Sequence, residues 1–419
     1  MTSKKNIEVL KGLWGHYSFR QLWIGQTISV LGSQISYIAI PLIAVILLDA
    51  NAFQMGLLTA SSTAPYFLIG LFAGVWIDRI KRVPILINMN LITAFFLLLI
   101  PLFNWLNVMN IWILCAISFF TASCSMVFQF AYTSVLPSII NKNDLTEGNS
   151  KLEISRAMTQ FVGPSIAGVI IHVLSAPISL FINIITYLVS IFFFKRINID
   201  EKEPTATKNT ILKQIRQGFH HIFTNPFLRT ISLSTAILNF SRCAFDAVYM
   251  LYVVTVFSID ASILGIIFGV GSLGALLGAF TANKLVKKIG TGNTILISTV
   301  IVGVGFLIVA IVTKYIIVNI AILSISQFFI SMGNTVFFIS QVSIRQAVTP
   351  NEIMGRVNAT QVFISRGAVP IGALLGGLSG MLFGLRETIM AAGCLSLGAV
   401  FLLVMSPVKG VRQTSDIEI

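Results

Sequence analysis

Arg242 and Asp246 stand four residues apart near the middle of one long apolar run. On a helix that spacing puts both on one face. Inside a membrane each would cost about 3 kcal/mol or more if left unpaired. The pair has two readings. It is a permanent structural contact, or its carboxylate takes up a proton and frees the arginine for a substrate. Asp246 is the candidate proton carrier and Arg242 its partner. A second charged group is the turn Gly74-Val75-Trp76-Ile77-Asp78-Arg79-Ile80-Lys81-Arg82-Val83-Pro84, where Asp78–Arg82 holds one acid and three bases. Asp78 can accept hydrogen bonds from the start of a neighbouring helix, while Arg79 and Arg82 reach carboxylates or lipid phosphates. So tight a turn suits a gate that clamps helix ends; the alternative is a solvated loop that only sets topology. Glu153 and Arg156 open another apolar run and Arg366 lies within a third. They are candidate latch residues, with simple snorkelling as the alternative. Gly163-Pro164 falls inside an apolar run, where proline removes a backbone hydrogen bond and glycine admits a close neighbour.

Other chemistries find no footing. There is no Gly-Lys-Ser/Thr loop for a nucleotide and no nucleophile, zinc or haem constellation, so we expect no enzyme, no cofactor and no metal. The four cysteines, Cys115, Cys124, Cys243 and Cys394, lie in apolar runs without metal-ligand spacing and read as small core residues. His220 and His221 belong to a polar stretch, and His172 to a span end, where an interfacial role outweighs a proton relay.

The elements that must hold these residues follow from composition. Of 419 residues 56% are hydrophobic and only 10% charged, with mean hydropathy +0.89, so few can face water. Runs such as 22–48, 53–77 and 295–312 are long enough to cross a bilayer, and long alternating strand patterns are missing. The expected fold is an all-α polytopic membrane protein with twelve transmembrane helices in two pseudo-symmetric six-helix bundles. The spans fall at 18–48, 54–77, 83–104, 110–136, 152–175 and 177–194, then at 227–257, 261–283, 292–313, 315–343, 357–383 and 388–407.

The net charge of +13 is distributed by topology. With a cytoplasmic amino terminus, Lys4, Lys5, Lys11, Arg79, Lys81, Arg82, Lys142, Lys195, Arg196, Lys284, Lys287, Lys288, Arg345, Arg356, Lys409 and Arg412 all share one side. The opposite loops hold only Lys314 and Arg386. This is the positive-inside pattern, which predicts both termini in the cytoplasm and contact with anionic membrane lipids, not nucleic acid. The basic, polar start and a first span without a small-residue cleavage site predict no removable signal peptide.

The halves echo each other. Gly70-x-x-x-Gly74 returns as Gly274-x-x-x-Gly278, Asn143-Asp144-Leu145 with Ser155-Arg156 as Asn351-Glu352-Ile353 with Ser365-Arg366, and Gly163-Pro164 as Pro370-Ile371-Gly372. The domains are an N-terminal bundle 1–194, a cytoplasmic linker 195–226 and a C-terminal bundle 227–419. In the linker, Ile211, Leu212, Ile215, Phe219, Ile222 and Phe223 share one face of a short amphipathic helix suited to the membrane surface. A parallel duplication of this kind is the pattern of a rocking transporter with its site at the repeat interface. Polar residues in lipid should face inward. Gln26, Ser29, Gln34, Gln129, Tyr132, Asn239, Gln327 and Asn334 are therefore the substrate-cavity candidates.

These motifs, with Leu136-Pro137, Gln217-Gly218, Asn225-Pro226-Phe227-Leu228-Arg229 and Thr349-Pro350-Asn351-Glu352…Gly355-Arg356-Val357-Asn358, resemble the major facilitator superfamily. Within it the chain is similar to the macrolide-efflux and enterobactin-export branch. The resemblance covers nearly the whole chain. It implies that the Asp78–Arg82 turn latches the cytoplasmic side, with Lys81 where a glycine is usual. It also implies that Thr159-Gln160-Phe161-Val162-Gly163-Pro164-Ser165-Ile166-Ala167-Gly168 matches an antiporter motif, with Thr159 and Ala167 replacing two glycines. Proton-coupled members usually carry an arginine in the fourth span; here Ser118-Phe119-Phe120-Thr121 has none, and Arg156 and Arg242 are the candidates to replace it. The implied function is secondary active efflux, in a bacterial plasma membrane, of an amphipathic small molecule such as a macrolide-like antibiotic or a siderophore. Alternating access by a monomeric proton antiporter would drive it, and antibiotic resistance would follow from the former cargo. A facilitator or importer of a metabolite, and a non-transporting sensor of the same fold, are the alternatives.

Overall fold

A computed structural model describes residues 12–70, 80–141, 144–199, 211–311, 313, 315–350 and 353–412. Gly74, Asp78 and Arg79 of the charged turn lie outside the described residues. Helices account for the spans, as they must where no water can satisfy the backbone. The first half contributes α1 (Tyr17–Leu42, continued by a π-helical turn Ile43–Leu47), α2 (Ala52–Leu68), α3 (Arg82–Trp105), α4 (Ile111–Ile139), α5 (Leu145–Leu174) and α6 (Ala176–Phe194). After the linker helix α7 (Ile211–Thr224) come α8 (Pro226–Phe257), α9 (Ala261–Ile289), α10 (Thr291–Val309), α11 (Ile316–Ala347), α12 (Met354–Leu382) and α13 (Leu385–Val404). Eleven helices among the described residues are long and apolar enough to cross a membrane. The twelfth span begins with α2, which leads to the undescribed 71–79.

Local chemistry sets the helix starts. Asn51 and Gln54 form a reciprocal capping box, each side-chain oxygen accepting the other's backbone N–H at 3.0 Å. Asn110, Asn225 and Asp260 cap α4, α8 and α9 through their side-chain oxygens. Ser175, Ser258, Gly290 and Gly384 turn the chain with positive φ between consecutive helices.

Contacts divide the chain into two units. The first comprises residues 1–43 and 68–207, the second 44–67 and 208–419. The sequence boundary at 194 keeps α2 in the first half, whereas its contacts place it in the second unit. The reason is a backbone approach: Gly56 lies against Gly377 and the carbonyl of Ala373. Within the first unit α1 packs on α5 and α6, and α3 on α4 and α6. Within the second, α8 packs on α12 and α13, and α10 on α11 and α13. These pairings correspond helix for helix, which is the duplication expected from sequence.

The linker helix is part of the second unit. Ile222 is fully buried in one core with Leu228, Ile231, Ile344, Val357 and Val408, and Gly218 rests on the Arg356 backbone. Arg356 also donates to the Gln217 side chain at 2.8 Å. Ile222 therefore covers protein, whereas Phe223 on the same face is exposed. A short strap, Pro407–Gly410 and the residues after it, closes the same core. Thr291 and Gly292 donate their N–H groups to the carbonyls of Arg412 and Val411 at 3.0 and 2.9 Å. Those carbonyls satisfy amides that the first turn of α10 would otherwise leave without acceptors.

Candidate functional site

In the second unit, α8 and α12 carry charge into the apolar span. Small residues bring them together: Gly372 and Gly376 lie on the backbones of Phe240 and Ala244. Polar groups fix their register. Ser232 donates to the Gln361 side-chain oxygen, and Asn239 donates to the Ser365 carbonyl at 3.1 Å. On this frame Arg242 Nε meets Asp246 Oδ2 at 3.4 Å, one turn along α8. About 23 Å of helix extends on either side of Arg242, so the pair belongs near mid-membrane. It is not sealed: the side chains of Arg242 and Asp246 are 40% and 36% exposed.

Arg366 lies on α12 next to Ser365, and its guanidinium sits 4.9 Å from the Tyr66 ring. Tyr66 is the partner that sequence reasoning missed, because an aromatic residue in an apolar run reads as ordinary core. Asn239 stands one turn before Arg242 and binds the Ser365 carbonyl, so Arg366 neighbours that turn of α8.

The remaining candidates are dispersed. Glu153 and Arg156 bind each other across one turn of α5, with Arg156 Nε to Glu153 Oε2 at 3.0 Å and Nη2 to Oε1 at 2.5 Å. Arg82 reaches the Ser138 hydroxyl at 3.5 Å. Gly163 faces the Gln34 side chain, and α5 continues through Pro164. Tyr132 is buried and stacks on Phe128, with Gln129 half-buried beside it. Gln26 and Ser29 are buried, and among the described residues the Gln26 oxygen accepts nothing. In the second unit Asn239 is already bound to α12 and Gln327 is buried against Gly271, while Asn334 is half-buried with its amide nitrogen unsatisfied among the described residues. Two polar pairs were not foreseen: Asn90 donates to Ser190 at 3.2 Å, and Asn183 to Ser36 at 2.5 Å. Of the cysteines, Cys115 and Cys124 are buried as expected, whereas Cys394 is exposed because its helix face is uncovered.

No group of histidine, cysteine and acidic residues among the described ones could hold a metal. Residues 14–417 match the family described as "Transmembrane secretion effector". The chain belongs to that family. As a secretion effector it is a member of the major facilitator superfamily, and such proteins are transporters, not enzymes. It is 22% identical to the enterobactin exporter EntS of Escherichia coli O1:K1 over 417 residues, covering 98% of this chain and 96% of that one. Its identity to EntS of Salmonella choleraesuis is also 22%, over 426 residues, with 98% and 97% covered. Among solved structures it resembles a bacterial homologue of the iron transporter ferroportin, with TM-score 0.73, 16% identity, and 93% and 98% covered. The nucleoside transporter NupG gives TM-score 0.73 at 13% identity, with 92% and 98% covered. The two structural likenesses establish the fold.

Proposed function

We propose that this protein exports an amphipathic small molecule by alternating access, driven by protons moving the other way. The observation that carries the proposal is the Arg242–Asp246 pair, placed at mid-span and left partly open. A carboxylate kept at that depth is expensive and marks an ion or substrate path. When Asp246 takes up a proton its attraction for Arg242 is lost, and the arginine becomes available to another acceptor. The likeness to enterobactin exporters supports outward movement, and a siderophore-like or macrolide-like molecule is the cargo we propose.

In this scheme Gln26, Gln34, Gln129, Tyr132, Asn239, Gln327 and Asn334 serve the substrate path. Asp78, Arg79, Arg82, Glu153, Arg156 and Arg366 gate it, while Gly163 and Pro164 shape α5. The protein works as a monomer in a bacterial plasma membrane, with bundles 1–194 and 227–419 joined by the linker 195–226 and both termini cytoplasmic. The test is movement into or out of proteoliposomes under an imposed pH gradient, across siderophores, macrolides and dyes. We expect gradient-dependent movement that Asp246→Asn abolishes. Movement indifferent to the gradient overturns antiport and favours a facilitator; no movement of any compound favours a sensor.

A further inference from the structure

Arg366, counted above among the gating residues, lies inside the α12 span. It lies about 15 Å along the helix from Arg356, where the α12 span begins, which is mid-depth for a hydrocarbon layer about 30 Å thick. Its side chain is exposed. An arginine at that depth almost always faces a water-filled cavity or the bundle interior, because lipid would charge it several kcal/mol. Among the described residues no carboxylate pairs with it; its close contact is the Tyr66 ring.

A ring face attracts a cation and fixes its plane, but it does not neutralise the charge. The stacking leaves the N–H edges of the guanidinium available as a planar fork, which matches a carboxylate or a phosphate. Among the described residues the neighbourhood supplies no other anion. Asp246 is the one acid that the described residues of the second unit place away from span ends, and it is engaged by Arg242. Arg366 therefore adds a positive charge that no paired carboxylate answers among the described residues. A cationic cargo would be repelled here, and a neutral one would leave that charge unbalanced.

We propose that the exported molecule carries an acidic group and that Arg366, steadied by Tyr66, binds it. This rests on the export reading and narrows its substrate to anionic amphipaths. Arg366 then sets specificity rather than only holding a helix end.

The test compares a dansyl-labelled medium-chain fatty acid with its methyl ester, using the full chain in lipid nanodiscs and reading binding by fluorescence anisotropy. Wild type should bind the acid more tightly by about 10- to 100-fold, the range of one charge-assisted contact. Arg366→Gln should erase that preference by weakening the acid alone, and Arg366→Lys should restore part of it. Should Arg366→Gln fail to fold, Tyr66→Leu provides the second variant, with acid affinity lowered and ester affinity unchanged. Absence of an acid preference in wild type, whether both compounds bind or neither does, overturns the proposal. So does a preference that survives Arg366→Gln. Transport of the same pair is measured separately in proteoliposomes. Acid-selective binding without movement sinks the export reading and leaves the anion site standing.

Discussion

Gly56 and Gly377 meet backbone to backbone: a Cβ on either would lie 2.7 Å from the Cα of the other. No side chain larger than hydrogen fits without parting α2 from α12. Gly377→Val should therefore lower the unfolding temperature and reduce transport, with an overpacking penalty of about 1–3 kcal/mol. Gly398→Ala is the control, since nothing lies within 4 Å of the added carbon. Thermal unfolding in detergent, with transport measured in parallel, separates the two; equal behaviour would mean that the contact has no importance.

The ion pair of α8 predicts a sign. Arg242→Gln alone takes the arginine contact from Asp246, and Asp246→Asn alone removes the carboxylate that Arg242 meets at 3.4 Å. The double variant removes both charges and should be more stable than either single one, with a coupling of about 1–3 kcal/mol. A double-mutant cycle on thermal stability measures this. Additive effects would show that the two groups act independently despite the 3.4 Å contact.

Gly218 carries the docking of the linker helix. A Cβ there would come within 2.7 Å of the Arg356 carbonyl oxygen. Gly218→Val should lift α7 from α12, and hydrogen exchange across 216–224 should accelerate about tenfold or more. Unchanged protection would show that the helix holds without this contact.

Val408 anchors the strap and is fully buried. Val408→Ala should cost about 1–3 kcal/mol of stability, while Lys409→Ala, at an exposed neighbour, should be neutral. Denaturation midpoints compare them directly.

The helices were legible because lipid leaves so few ways to satisfy a backbone, and a run of apolar residues reports its own length. The Arg242–Asp246 contact was legible for a related reason: the helix alone fixes a spacing of four. Tyr66 beneath Arg366 was not legible, since the two are brought together by glycine backbones that carry no chemical label. The same holds for α2, whose grouping with the second half depends on Gly56. Polarity marked Gln327 as a substrate-cavity candidate, but its burial against Gly271 depends on a neighbouring helix that no local pattern specifies. The roles of Asp78 and Arg79 rest on the sequence, since both lie outside the described residues.

The strap has a bearing on biogenesis. The first amides of α10 find their acceptors in residues about 120 places downstream, Thr291 meeting Arg412. During synthesis that helix therefore enters the bilayer with its leading turn incomplete. The second unit can finish closing only after the last span and the strap have emerged. A chain ending before Val408 would lack these acceptors and leave the core of the second unit open at that end.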